Sequence, residues 1–103
     1  PLWQFLSYET TNTNGGEAAF RVRSAATPAA LATATWLDAK VATQSEPDCL
    51  PGQTGCPVDL VNLLGTQSSD LHLELQITVT PSDSSQTPRV EDWQITYTCP
   101  FNE

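Results

Sequence analysis

The residues with chemical capacity are few: Cys49, Cys56 and Cys99, one histidine at His72, the adjacent carboxylates Glu91 and Asp92, and tryptophans at 3, 36 and 93. Nucleophilic catalysis needs a base beside the nucleophile. His72 stands in the polar phase of an alternating segment, where a strand residue faces solvent. No Gly-x-Ser-x-Gly occurs, and Cys99 has no histidine near it in sequence. Glycoside hydrolysis needs two carboxyl groups across a cleft. Glu91 and Asp92 are chain neighbours beside an expected bulge and read as surface charge at an edge. The expectation is a protein that is not an enzyme.

Metal chemistry is equally thin. One histidine with scattered cysteines is a poor zinc set. Calcium takes several oxygen ligands from loops. Asp38, Glu46, Asp48 and Asp59 flank the irregular region, and Asp70 and Asp83 sit by other turns, but none forms an EF-hand pattern. No metal and no cofactor is assigned. Cys49 and Cys56 bracket Leu-Pro-Gly-Gln-Thr-Gly, a turn-rich loop able to bring them together, at a spacing unlike a redox Cys-x-x-Cys. A local Cys49–Cys56 disulfide is the leading pairing. Cys99 is then left over, either a buried free thiol or a bond to another chain or to a missing segment.

Aromatic residues raise the question of sugar stacking, which needs rings on one flat exposed face. Trp93 and Tyr97 follow the apolar phase of the last strand and Trp3 accompanies Phe5, which assigns them to the core. Trp36, in a short strand beside the irregular region, is the best platform for a glycan.

Strands must position these residues. Leu71, Leu73, Leu75, Ile77 and Val79 alternate with His72, Glu74, Gln76 and Thr78, the signature of a half-buried β-strand. Trp93, Ile95 and Tyr97 alternate with Gln94, Thr96 and Thr98, and a bulge near Glu91-Asp92 would return Val90 to the face of Trp93. These two long strands read as a hairpin across the polar turn 81–88. Leu2–Tyr8 and Ala18–Arg23 are further strands, the second with Phe20 and Val22 inward and Arg21 and Arg23 outward, facing Glu74 or Glu91. Asn14-Gly15-Gly16 supplies the positive-φ positions of their connection. Thr27-Pro28 caps one or two helical turns reaching Ala34. Val41 belongs to a short strand, Val58, Leu60 and Val61 form another, and 62–69 is a connection. The prediction is one all-β domain over 1–103, an immunoglobulin-like or jelly-roll-like antiparallel β-sandwich of seven or eight strands with one short helical turn.

Four Lys and Arg against twelve Asp and Glu leave a net charge of −8, which repels phosphate backbones and anionic membrane surfaces. Nucleic acid is excluded as a partner. No stretch has the length of a transmembrane helix, so no membrane insertion is expected. The chain begins at Pro1 and contains no methionine, which reads as a processed chain or a piece of a longer one that has lost its leader.

Trp3 to Tyr8, Phe20-Arg21-Val22-Arg23-Ser24-Ala25, Thr27-Pro28-Ala29-Ala30-Leu31, Ala34-Thr35-Trp36, Thr87-Pro88-Arg89-Val90 and Trp93-Gln94-Ile95-Thr96-Tyr97 together resemble a module of bacterial extracellular proteins. The resemblance implies a small β-sandwich of the kind that recurs in large surface, adhesin-like and pilus-associated proteins, usually without activity of its own. The loop at Cys49–Cys56 and the terminal Cys99 depart from that pattern. The expected function is a structural or interaction module outside the cell, in a surface protein or filament such as a pilus-type appendage. Its partners would be other protein subunits, copies of itself or a second chain. They would be met through an edge strand at Leu2 and Trp3 and the terminal segment carrying Phe101. The alternative is a carbohydrate-binding module of a secreted enzyme or adhesin, with Trp36 stacking on a glycan.

Overall fold

The alternating segments become strands in the computed structural model, which describes residues 1–11, 13, 15–82 and 87–99. In chain order these are β1 Leu2–Thr11, β2 Glu17–Ala25, α1 Pro28–Leu31, β3 Leu37–Ala42, β4 Asp48–Cys49, β5 Val58–Asp59, α2 Leu60–Leu64, β6 His72–Thr80 and β7 Arg89–Thr98. Every strand pair is antiparallel. In one sheet β1 is central, with β7 along one side and β4 and β5 in succession along the other. In the second sheet β2 lies between β3 and β6. The result is the all-β, sandwich-like architecture that the alternation predicts.

The two central strands make the core. Leu6 and Tyr8 point inward from β1, and Ala18, Phe20 and Val22 from β2, all essentially without exposure. The Tyr8 and Phe20 rings stack with centroids 4.1 Å apart, joining the sheets at their centres. Arg21 and Arg23 take the opposite face of β2, as period two requires.

Two bulges set the faces of β1 and β7. The register with β7 shifts between Trp3 and Phe5, so Gln4 is an extra residue and Trp3, not Phe5, joins the inward set with Leu6. Trp3 therefore does not accompany Phe5, which is left exposed. The second shift lies between Glu9 and Thr10, opposite Asp92 and Val90. Glu91 is the extra residue, and Val90 regains the core face as the sequence predicts.

Several expectations are corrected. Residues 72–80 and 89–98 do not form a hairpin: β6 pairs with β2 and β7 with β1, so the connection passes between sheets. It is eight residues long, with Pro81 at its start and Pro88 at its end. Proline has no N–H for a tight hairpin ladder, and eight residues easily span the ~10 Å between packed sheets. β1 is not an edge strand. Leu2 and Trp3 pair with Thr98 and Tyr97 on one side, and the Trp3 N–H on the other donates to the Ser68 carbonyl. The strand expected over Val58–Val61 is only Val58–Asp59, because the Asp59 carboxylate accepts from the Asn62 N–H and caps α2. Trp36 precedes β3 and is not part of it. The helical turn at Pro28 is present, with the Thr27 hydroxyl accepting from the Ala30 N–H, but it stops at Leu31. Gly15 adopts φ +74, and a β-carbon on Gly16 would lie 2.6 Å from the Thr80 carbonyl, so this turn needs its glycines.

Candidate functional site

The two flanks of the sandwich are built differently. On one, β3 lies against the loop that carries β4 and the cysteines. Cys49 and Cys56 are bonded, as their loop predicts, with Cα atoms 5.1 Å apart. The Cys49 side of this loop is fully buried, Lys40 Nζ reaches the Thr54 carbonyl at 3.5 Å, and α2 packs on both β1 and β3. Leu60 and Leu64 plug this side. A shallow polar cavity of about 330 Å³ remains at the surface between Lys40, Glu46, Asp48 and Cys56. Beneath these acids the Tyr8 hydroxyl is buried without a hydrogen-bond partner, and burial, aided by Glu46 and Asp48, pushes its pKa up to about 12.

Three of the acidic residues that could ligate calcium make other contacts. Asp48 accepts from the Thr10 N–H, Asp59 caps α2, and Asp70 accepts from the Ser24 hydroxyl. Among the described residues no three His, Cys, Asp or Glu side chains come together as a metal set. Asp83 lies outside the described residues, as does Phe101.

On the outer face of the second sheet, Arg23 pairs with Glu74 at 2.6 Å, as anticipated across β2 and β6, and Arg21 donates to Gln76 at 2.8 Å. Both guanidinium groups lie over the Trp36 indole, at 4.2 Å for Arg23 and 5.2 Å for Arg21. Trp36 is thus half-buried and stacked within its own chain. His72, on the same face, stands opposite Ala25. Glu91 accepts from the Thr11 hydroxyl and pairs with Arg89 at the edge of β7. Cys99 follows β7 as an exposed free thiol, so the buried alternative is corrected.

The other flank is open. Because β1 faces β2 and β3 faces the cysteine loop, β6 and β7 together form this side. Neither has a strand on its outer edge among the described residues. Cross-strand partners share a face. Ile95 stands opposite Leu6, Trp93 opposite Tyr8, Leu75 opposite Val22 and Ile77 opposite Phe20. The inner partners are at most 1% exposed, whereas Trp93 is 50%, Tyr97 56% and Val79 38% exposed, and Leu71, just before β6, is 65% exposed. Leu73, Leu75, Ile77 and Ile95 are half-buried between them. An apolar strip of two strands is therefore left partly uncovered.

The expectation that Trp93 and Tyr97 are core residues is overturned here: they point toward the core side, but no layer covers them. Trp3 is held in place by its indole N–H, which donates to the Asp70 carbonyl at 2.8 Å, and by its tilted contact with Tyr97. Sequence reasoning therefore missed Trp93 and Tyr97 as surface groups. The available signal was the missing partner for the last strand once β1 is assigned to the sheet centre.

Across the outer face of the first sheet, Glu9 stands opposite Asp48 on β4 and opposite Asp92 on β7. Three carboxylates thus line up across three strands. Among the described residues the ion pairs are Arg23–Glu74 and Arg89–Glu91, and neither involves this row.

No helix among the described residues is long and apolar enough to cross a membrane. Compared with protein families, curated proteins and solved structures, the chain shows no match.

Proposed function

We propose that this domain is a non-catalytic interaction module displayed outside a bacterial cell, in a surface protein or filament of pilus type, and that it meets a protein partner through the β6/β7 flank. The observation that carries this reading is the exposure of Val79, Trp93 and Tyr97 on the core-facing side of two strands whose outer edges carry no strand among the described residues. Open strand edges beside exposed apolar surface are a recurrent mode of protein association. The Cys49–Cys56 bond fits an oxidising compartment, and the resemblance to bacterial surface modules supplies the setting. The contact surface is moved from Leu2 and Trp3, which are paired on both sides, to the last strand.

The test is the size and composition of native material isolated from its source, with and without reductant, beside the same preparation carrying Tyr97→Lys. A defined assembly that the substitution disperses supports the reading, and a monomer in both preparations overturns it. An assembly dispersed by reductant but indifferent to Tyr97→Lys puts the contact at Cys99 and removes the flank from it.

A carbohydrate-binding module is the second reading, favoured by one specific observation. Trp93 and Tyr97 stand on one side of β7, four residues and about 13 Å apart, each half-exposed. The glycan platform of this reading is that pair and not Trp36, whose ring is stacked by arginines. It expects tryptophan fluorescence to respond to a glycan and the response to vanish in Trp93→Ala. Unchanged fluorescence across a broad glycan panel removes it.

A further inference from the structure

The open flank has a chemistry that selects its occupant. A strand added to the outer edge of β7 would satisfy that edge's free peptide groups and send alternate side chains inward and outward. Its inward side chains would lie beside Trp93, Ile95 and Tyr97 and toward Leu73, Leu75 and Ile77. Apolar residues are required there, since a polar group would be buried without a partner.

The outward side chains meet a different surface. They extend the row Asp48, Glu9 and Asp92, whose next position lies one strand spacing, about 5 Å, beyond Asp92. Like charges directly opposite one another destabilise a sheet. Glu9 and Asp92 are exposed and outside both ion pairs of the described residues, and the chain carries a net charge of −8. A cationic side chain at this position relieves the repulsion, and an acidic one extends it. The same charge argues against a second copy as the occupant, because β7 would bring its own Asp92 and Glu91 to the contact.

We infer that the β6/β7 flank accepts an extended segment of a different polypeptide as an added strand on β7, with apolar residues at alternate positions and Lys or Arg between them. This rests on the reading of the domain as an interaction module and names the partner's chemistry.

The probes are synthetic peptides of about nine residues, a strand length matched to β7, titrated into the full chain. One alternates Ile with Lys and Thr. A second replaces Lys by Glu, and a third replaces Ile by Ser. The readouts are calorimetric affinity and amide hydrogen exchange. The Ile/Lys peptide is expected to bind and to protect β7 amides, with the Glu version at least about tenfold weaker at low salt and the gap shrinking as salt rises. The Ser version is expected not to bind. Asp92→Asn, an exposed substitution, should narrow the difference between the Lys and Glu peptides. Equal binding of those two peptides at β7 overturns the charge rule and leaves the flank as an interaction surface. Protection of β7 by self-association without peptide replaces the foreign strand by a second copy. Absence of β7 protection by any peptide, together with a monomeric native preparation, overturns both this inference and the interaction reading.

Discussion

Two sides of one sandwich reach opposite solutions to the same problem. At its first flank, beside β3, the sheets are closed by a disulfide-bonded loop and by α2, whose Leu60 and Leu64 are buried. At its second, β6 and β7 present Val79, Trp93 and Tyr97 with 38–56% of their surface open. Both flanks border the same core strands and the same cluster of Leu6, Tyr8, Phe20 and Val22. The difference lies in what covers them, not in how apolar they are. A domain of this size has little chain with which to cover every face. Here the covering segment, 43–67, lies on one side, and the second is left partly uncovered.

The contrast is broken or sharpened most strongly by a matched pair of leucines. Leu60→Ala on the closed flank should cost about 3 kcal/mol, and Leu71→Ala on the open flank less than about 0.5 kcal/mol, both read from urea denaturation. Equal costs would mean that the β6/β7 flank is covered in solution, and the comparison would fail. Next comes the covalent closure. Replacing Cys49 and Cys56 together by Ser should lower stability by about 2–3 kcal/mol, the loop-closure entropy of so short a ring, while leaving peptide binding at β7 intact.

Tyr8 reports on the acidic side of the core. Its hydroxyl ordinarily titrates near 10 and is pushed up to about 12 in the fold, mainly by burial. Below pH 10 the phenol is neutral in both states and the stability is full. As pH rises from 10 toward 12 the unfolded chain loses this proton first, so stability falls by about 1.4 kcal/mol per pH unit. Tyr8→Phe should abolish this slope in an alkaline denaturation series. It should also raise stability near neutral pH by about 1 kcal/mol, because it removes a buried hydroxyl without a partner. An unchanged alkaline slope in the variant would place the titrating group elsewhere. Last comes Trp93→Ser, expected to cost about 1–2 kcal/mol because only half of the ring is buried, while weakening strand binding to β7. If it unfolds the domain, Trp93 belongs to the core after all.

Much of this could be read directly from residue order. The alternation of 71–79 and 93–98 assigns each side chain to a face, and the structure keeps those assignments from His72 onward, including the bulge that returns Val90 inward. The Thr27 cap, the Cys49–Cys56 bond and the Arg23–Glu74 pair were also legible, being contacts of short range or of simple cross-strand geometry. Helix α2 was missed although Asp59 precedes Leu60, Leu63 and Leu64 at helical spacing, because Val58 and Val61 favour a strand reading.

The candidate flank was legible only in part. Its residues all belong to alternating segments, yet that alternation by itself places Trp93 and Tyr97 in a core and leaves Leu2 at an edge. A strand's period of two determines which side chains share a face. That much this sequence decided alone. Whether the shared face is covered depends on which strands become neighbours, and the pairing of β1 with β7 joins residues some ninety positions apart in the chain. Closing a loop of about ninety residues costs about 2 kcal/mol more than closing the eight-residue turn, so the local term favours the β6–β7 hairpin and packing has to outweigh it. The packing of Tyr8 on Phe20 and the closure of the opposite flank by 43–67 chose the β1–β7 pairing, and with it left β6 and β7 on the open side.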